Sequence, residues 1–140
     1  MFEGAFGPAQ TAEGVLANLV GDPGVELALV VEFEGRVVSV GGLKFKPAFP
    51  GAGWLHDLGT LPEYQGSGFG RFLSVRLLDA MVDRGYARAI LDTHAYRVRA
   101  LSLYFGLGFV PLFVHDRDPV EWELTLAELG RELKAPYGLR

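Results

Sequence analysis

The sequence predicts a mixed α/β domain, one sheet with helices packed on its faces. Three observations carry this. Extended apolar segments alternate with segments of helical period in the order α, β-β-β, α, β, α, β-β. A glycine-rich turn, Gln65–Arg71, joins an extended run to the most periodic helix of the chain. Hydrophobic residues make up 49% of 140, ample for the core of one domain, residues 1–140.

Residues 1–10, broken by Gly and Pro, read as irregular. Thr11 to Val20 reads as a short helix with Thr11 as N-cap, an apolar stripe of Val15, Leu16, Leu19 and Val20, and a stop at Gly21-Asp22-Pro23-Gly24. Val25 to Glu34 and Arg36 to Lys46 read as an antiparallel hairpin turning at Glu34-Gly35. Pro47, Pro50, Gly51 and Gly53 mark a loop before a third strand, Trp54 to Leu61. From Gly68 to Gly85, Phe69, Phe72, Leu73, Leu77, Ala80 and Met81 recur at helical spacing, with Gly85 as the C-terminal signal. Arg88 to Thr93 is near-continuously apolar, which predicts a buried strand. Arg97 to Leu107 predicts a helix closed by Gly108, and Phe109 to His115 with Val120 to Leu126 a final strand pair. Helix formers follow from Ala127 until Pro136-Tyr137-Gly138.

Composition excludes several function classes. A net charge of −4 without a basic run argues against nucleic acid or an anionic membrane as partner, and suits a cationic acceptor. With no Cys there is neither a disulfide framework nor thiolate chemistry. No apolar run reaches membrane-spanning length and no leader pattern opens the chain, so a cytoplasmic protein is expected. His94 and His115 stand without ligand spacing, so no metal is expected.

The turn Gln65-Gly66-Ser67-Gly68-Phe69-Gly70-Arg71 points to a ligand. Glycines between a strand and a helix expose several backbone N–H groups at a positive helix end, which suits a phosphate. A Walker loop needs Lys and then Ser or Thr after the last glycine, but Arg71-Phe72 follows Gly70. The spacing also departs from the dinucleotide fingerprint.

The longer string Leu61-Pro62-Glu63-Tyr64-Gln65-Gly66-Ser67-Gly68-Phe69-Gly70 resembles the acetyl-CoA motif of the GNAT (Gcn5-related) N-acetyltransferase superfamily. Ala100-Leu101-Ser102-Leu103-Tyr104-Phe105-Gly106-Leu107-Gly108-Phe109 resembles that family's second segment, A-x-x-L-Y-x-x-x-G-F. The two stand in family order and at family distance, and the resemblance covers about residues 25 to 126. It implies a GNAT acyl-CoA N-acyltransferase fold with a shortened N-terminal part. In that fold the strands carrying Trp54–Leu61 and Ile90–Thr93 run parallel and splay apart around acetyl-CoA, the cosubstrate. The partners implied are acetyl-CoA and an amine acceptor, with room for a homodimer.

Roles follow from the resemblance residue by residue. Backbone amides of Gln65, Gly66, Ser67, Gly68, Phe69, Gly70 and Arg71 would hold the pyrophosphate, and Arg71 could add a charge or stay a solvated surface residue. Leu58, Gly59 and Thr60 would pair with the pantetheine arm and polarise the thioester carbonyl, with Gly59 permitting a bulge. Tyr104 would protonate the leaving thiolate, since a phenol is protonated at neutral pH; its other reading is a core aromatic. His56 lies near a position where the serotonin N-acetyltransferase branch carries a histidine, and would be the general base, with Asp57 and Glu63 as alternatives. Strand alternation predicts that only one of His56 and Asp57 faces the cleft. Arg97 stands where many members have Asn, and could reach cosubstrate or acceptor, or cap a helix. Trp54, Phe45, Phe49 and Trp122 suit an acceptor pocket or the core. Against the enzyme stands a second reading, a non-catalytic sensor or scaffold that only binds acyl-CoA.

Overall fold

The computed structural model describes residues 11–93, 97–114 and 116–130. The chain divides into two compact units, one ending at Asp92 and one beginning at Thr93.

The first unit contains α1 (Ala12–Gly21), β1 (Val25–Phe33), β2 (Arg36–Phe45), β3 (Ala52–Thr60), α2 (Phe69–Asp83) and β4 (Arg88–Ile90). The strands form one sheet in the order β1-β2-β3-β4, antiparallel throughout except for β4, which runs parallel to β3. Thr11 Oγ1 accepts from Gly14 N at 3.0 Å and so caps α1 as expected. Glu34 (φ 52°) and Gly35 (φ 74°) are both left-handed, the geometry that matches strand twist in a two-residue hairpin.

The helices take opposite faces of the sheet. A Cβ on Gly42 would lie 2.9 Å from Leu19 Cδ2 of α1. One on Gly41 would lie 2.7 Å from Leu58 Cδ1 and 3.1 Å from Leu77 Cδ1 of α2. On the α1 face Ala12, Val15, Leu19, Val40 and Leu61 form a core cluster. On the other face Leu58, Leu73, Leu77 and Met81 are buried. The helical stripes are narrower than the sequence suggests, because Val20 and Phe72 are 72% and 58% exposed.

β4 departs from expectation. Only Arg88–Ile90 joins the ladder, and Ala89 and Ile90 are half-buried, because β4 is an edge strand covered incompletely. It pairs with β3 at Ala52↔Arg88, Gly53↔Ala89 and Trp54↔Ile90 and no further. β3 runs on to Thr60, so among the described residues its far half has no strand partner on that edge.

The second unit contains α3 (Val98–Gly106) and α4 (Asp118–Glu128). Gly108 (φ 96°) ends α3 in a Schellman arrangement: Phe109 N donates to Tyr104 O and Gly108 N to Phe105 O, each at 3.0 Å. Among the described residues the expected strand pair is absent: 109–114 carry no strand and Val120–Leu126 lie within α4. The segment alternates apolar and polar residues, but Asp118 and Glu121 in the first turn and an early Pro119 favour a helix start. The helix buries Leu126 and half-buries Trp122 one turn earlier, leaving Val120 and Leu124 61% and 65% exposed. The readings of 1–10, His94, His115 and the tail beyond Gly130 fall outside the described residues.

Candidate active site

A short 3₁₀ turn, Pro62–Tyr64, leads from β3 into the glycine loop. Gly66 (φ 82°) and Gly68 (φ 88°) are left-handed, and nothing lies within 4 Å of a Cβ built on either. Gly68 is the N-cap of α2, and Phe72 N donates to its carbonyl at 3.0 Å. The amides of Phe69, Gly70 and Arg71 therefore have no intrahelical acceptor, as at any helix start. They and the glycine amides form a concentration of donors beside open space. Ser67 and Arg71 are exposed, and Gln65, Phe69 and Gly70 are half-buried.

The loop is tied to the open half of β3. Leu61 N donates to Val38 O at 2.9 Å, so the backbone of Thr60 turns to the edge that β4 has left. There Gln65 Nε2 donates to Thr60 O at 3.2 Å. On the α2 face Thr60 Oγ1 lies 3.0 Å from Ser39 Oγ, which in turn donates to Gly59 O at 2.8 Å. Leu58 and Thr60 are buried, so any ligand on this strand would meet their backbone rather than their side chains.

A β-bulge corrects two expectations. The register runs Gly42↔His56 and then Val40↔Gly59, so Asp57 and Leu58 oppose Gly41 alone. The bulge is thus at Asp57–Leu58, not at Gly59, and Asp57 carries it at φ 48°. The extra residue interrupts the alternation. His56 and Asp57 come together, with His56 Nε2 3.5 Å from Asp57 Oδ2, and are not divided between the two faces.

Two residues not anticipated from sequence complete the cluster. Asp22 Oδ2, in the α1–β1 turn, lies 3.7 Å from His56 Nε2. Asp22 also accepts from Lys44 Nζ at 2.6 Å and from Gly24 N at 2.8 Å. Those hydrogen bonds, Lys44 first, hold its carboxyl below the usual carboxylate range. The Asp-Pro-Gly signal that stops α1 is also the Asx turn that presents Asp22. Glu63 is engaged elsewhere, 3.0 Å from Arg36. Trp54 is buried, its ring under Lys46 Nζ at 3.7 Å and edge-on to Phe49 at 5.3 Å, whereas Phe45 is exposed.

In the second unit Tyr104 is 3% exposed on α3, its ring 6.0 Å from that of Phe109. Burial pushes its phenol well above the ordinary range, partly opposed by the charge of Arg97. It stays protonated at neutral pH. Arg97 sits at the N-terminus of α3, and Trp122 packs 6.0 Å from Phe105. Among the described residues no cluster of three His, Cys, Asp or Glu could hold a metal, and no helix is long and apolar enough to cross a membrane.

A family model, Acetyltransferase (GNAT) family, matches residues 3–109. The chain belongs to that family. Among its relatives is mycothiol acetyltransferase of Arthrobacter sp. (strain FB24), 34% identical over 84 residues, 58% of this chain and 26% of that protein. [Ribosomal protein bS18]-alanine N-acetyltransferase of Escherichia coli (strain K12) is 38% identical over 55 residues, 39% of this chain and 37% of that protein. The matched region thus spans about a quarter of the mycothiol enzyme. An acetyltransferase of Trypanosoma brucei superposes with a TM-score of 0.56 at 25% identity, covering 79% of this chain and 78% of that one. AAC(6')-Iy, solved with the bisubstrate analogue CoA-S-monomethyl-acetylneamine, shares the fold at a TM-score of 0.60 and 14% identity, covering 74% and 76%.

Proposed function

We propose that the protein is an acetyl-CoA-dependent N-acetyltransferase that passes acetyl directly to an amine of a small molecule or peptide within a ternary complex. The observation that carries this is the donor-rich loop Gln65–Arg71 set at the end of a strand whose outer edge, among the described residues, has no strand partner beyond Trp54. The loop amides and the positive end of α2 bind the pyrophosphate. The open edge of Leu58–Thr60 pairs with the peptide-like pantetheine arm, and a main-chain N–H there polarises the thioester carbonyl. His56 takes the proton of the acceptor ammonium, oriented by Asp57 and Asp22. The amine nitrogen attacks the acetyl carbon, the C–S bond breaks, the departing thiolate takes its proton from Tyr104, and the second proton the nitrogen sheds on becoming an amide returns, directly or through water, to the phenolate. The phenol is protonated at neutral pH, as a proton donor must be, while burial, by raising its pKa, makes it a weaker acid than a free phenol. Relatives named for mycothiol and for an alanine of a ribosomal protein support both small-molecule and peptide acceptors.

The test is thiol release from acetyl-CoA across a panel of amines, with the product identified by mass. Release should require an amine. Tyr104→Phe should lower kcat by about 10²–10⁴-fold and leave acetyl-CoA affinity near wild type. Undiminished kcat, with chemistry limiting, removes Tyr104 from the role. Tight acetyl-CoA binding without transfer to any amine would favour the sensor reading.

A further inference from the structure

Phe33 is the last residue of β1 and is 42% exposed, an aromatic ring kept out of both cores. Its contacts are not arbitrary. Its ring centroid lies 6.0 Å from that of Tyr64 and 5.3 Å from that of Phe69. Tyr64 and Phe69 are themselves 6.2 Å apart. These two residues are the shoulders of the glycine loop, one just before Gln65 and the other just after Gly68. The cross-strand partner of Phe33 is Arg36, whose guanidinium stands 5.8 Å from the Tyr64 ring centroid and 3.0 Å from Glu63. Both residues flanking the Glu34-Gly35 turn therefore reach the entry side of the loop.

We infer that Phe33 is a positioning residue for phosphate binding: the β1–β2 hairpin tip clamps both shoulders of the loop and holds its amides in register for an anion. This rests on the reading of Gln65–Arg71 as the pyrophosphate site. Gln65 ties the start of the loop to Thr60 O, but the left-handed Gly66 and Gly68 beyond it carry no side chain to hold them. A donor array stabilises an anion best when it is ordered before the ligand arrives. The clamp lies away from the open edge of β3, so it acts on the nucleotide end of the ligand and not on the thioester.

The experiment uses the full chain and two acetyl donors, acetyl-CoA and S-acetyl-pantetheine, which lacks the pyrophosphate. Aromatic pairs of this kind are worth enough that losing two should raise KM for acetyl-CoA about tenfold in Phe33→Ala. The value of kcat should not change, and kcat/KM with S-acetyl-pantetheine should stay within about twofold of wild type. Phe33→Tyr should restore wild-type KM, since the exposed ring edge tolerates a hydroxyl. An unchanged acetyl-CoA KM, or an equal loss with both donors, overturns the inference. If Phe33→Ala does not fold, Phe33→Leu carries the same comparison, with a smaller rise confined to acetyl-CoA. Failure of the underlying reading is separate: it would show as wild-type acetyl-CoA affinity in a folded Gly68→Asp variant.

Discussion

Gly68 offers the most direct test of the site, because strain and ligand contact can be separated there. At φ 88° an L-residue is strained, so any side chain costs stability, about 1–2 kcal/mol. For a chain of this size that lowers Tm by roughly 3–10 °C. A Cβ at Gly68 has no protein atom within 4 Å, so the group it can still meet is a ligand. Gly68→Ala should therefore weaken acetyl-CoA binding about tenfold or more, beyond its cost in stability. Gly68→Asp adds a negative charge. Against a phosphate about 4 Å away, at an effective dielectric near 20, the repulsion approaches ~4 kcal/mol. Salt screening reduces this, and a loss on the order of 10²-fold is expected. Gly51→Ala is the control, left-handed at φ 78° with equally open surroundings but in the turn before β3. It should cost similar stability and leave affinity alone. Titration calorimetry with acetyl-CoA, paired with thermal melts, reads both quantities. A folded Gly68→Asp variant with wild-type affinity would refute the assignment of the loop.

Three further outcomes follow from the geometry. His56→Ala should lower kcat by about 10²-fold or more while acetyl-CoA affinity holds, and Asp57→Asn, which removes the carboxylate 3.5 Å from Nε2, should lower kcat by less. An undiminished kcat in His56→Ala, with chemistry limiting, would assign the base elsewhere. Gly41→Ala would drive a methyl to 2.7 Å from Leu58 Cδ1, and overpacking of this kind costs about 1–3 kcal/mol, readable as a lower urea midpoint. Because the carboxyl of Asp22 is held low, its contribution to stability is present above the ordinary carboxylate value near 3.9 and is lost as pH falls through the folded value. Asp22→Asn should therefore show a shallower fall in stability below about pH 4 in urea titrations.

The parts of the fold legible in the sequence are those specified by neighbours along the chain. Thr11 caps the helix that begins at the next residue, Glu34-Gly35 makes the hairpin turn, and Gly108 ends α3 in the motif its position suggests. The period of Leu73, Leu77 and Met81 is likewise written locally, and all three are buried. The reading fails where one pattern fits two periods. Val120, Trp122, Leu124 and Leu126 alternate as in a strand, yet Trp122 and Leu126 also stand one helical turn apart, and the helix uses that pair. The apolar run after Arg88 suggests burial, but the depth of a strand depends on its place in the sheet, and β4 lies at the edge.

The candidate site divides along the same line. The glycine turn, the helix it opens and the register of Tyr104 four residues before Gly108 are properties of short segments. Backbone conformation and helix start signals act over a few residues, so the sequence by itself determined them. Pairing between strands decided the rest. Asp57 joins His56 because the β2–β3 register inserts one residue opposite Gly41. Asp22, in the α1–β1 turn, meets His56 on β3 and Lys44 on β2, and Phe33 meets Tyr64 and Phe69 from the far hairpin tip. A single-residue slip in that register would reverse the facing of every later side chain on β3. No local propensity specifies it; it is set by the simultaneous packing of α1 and α2 on opposite faces of the sheet.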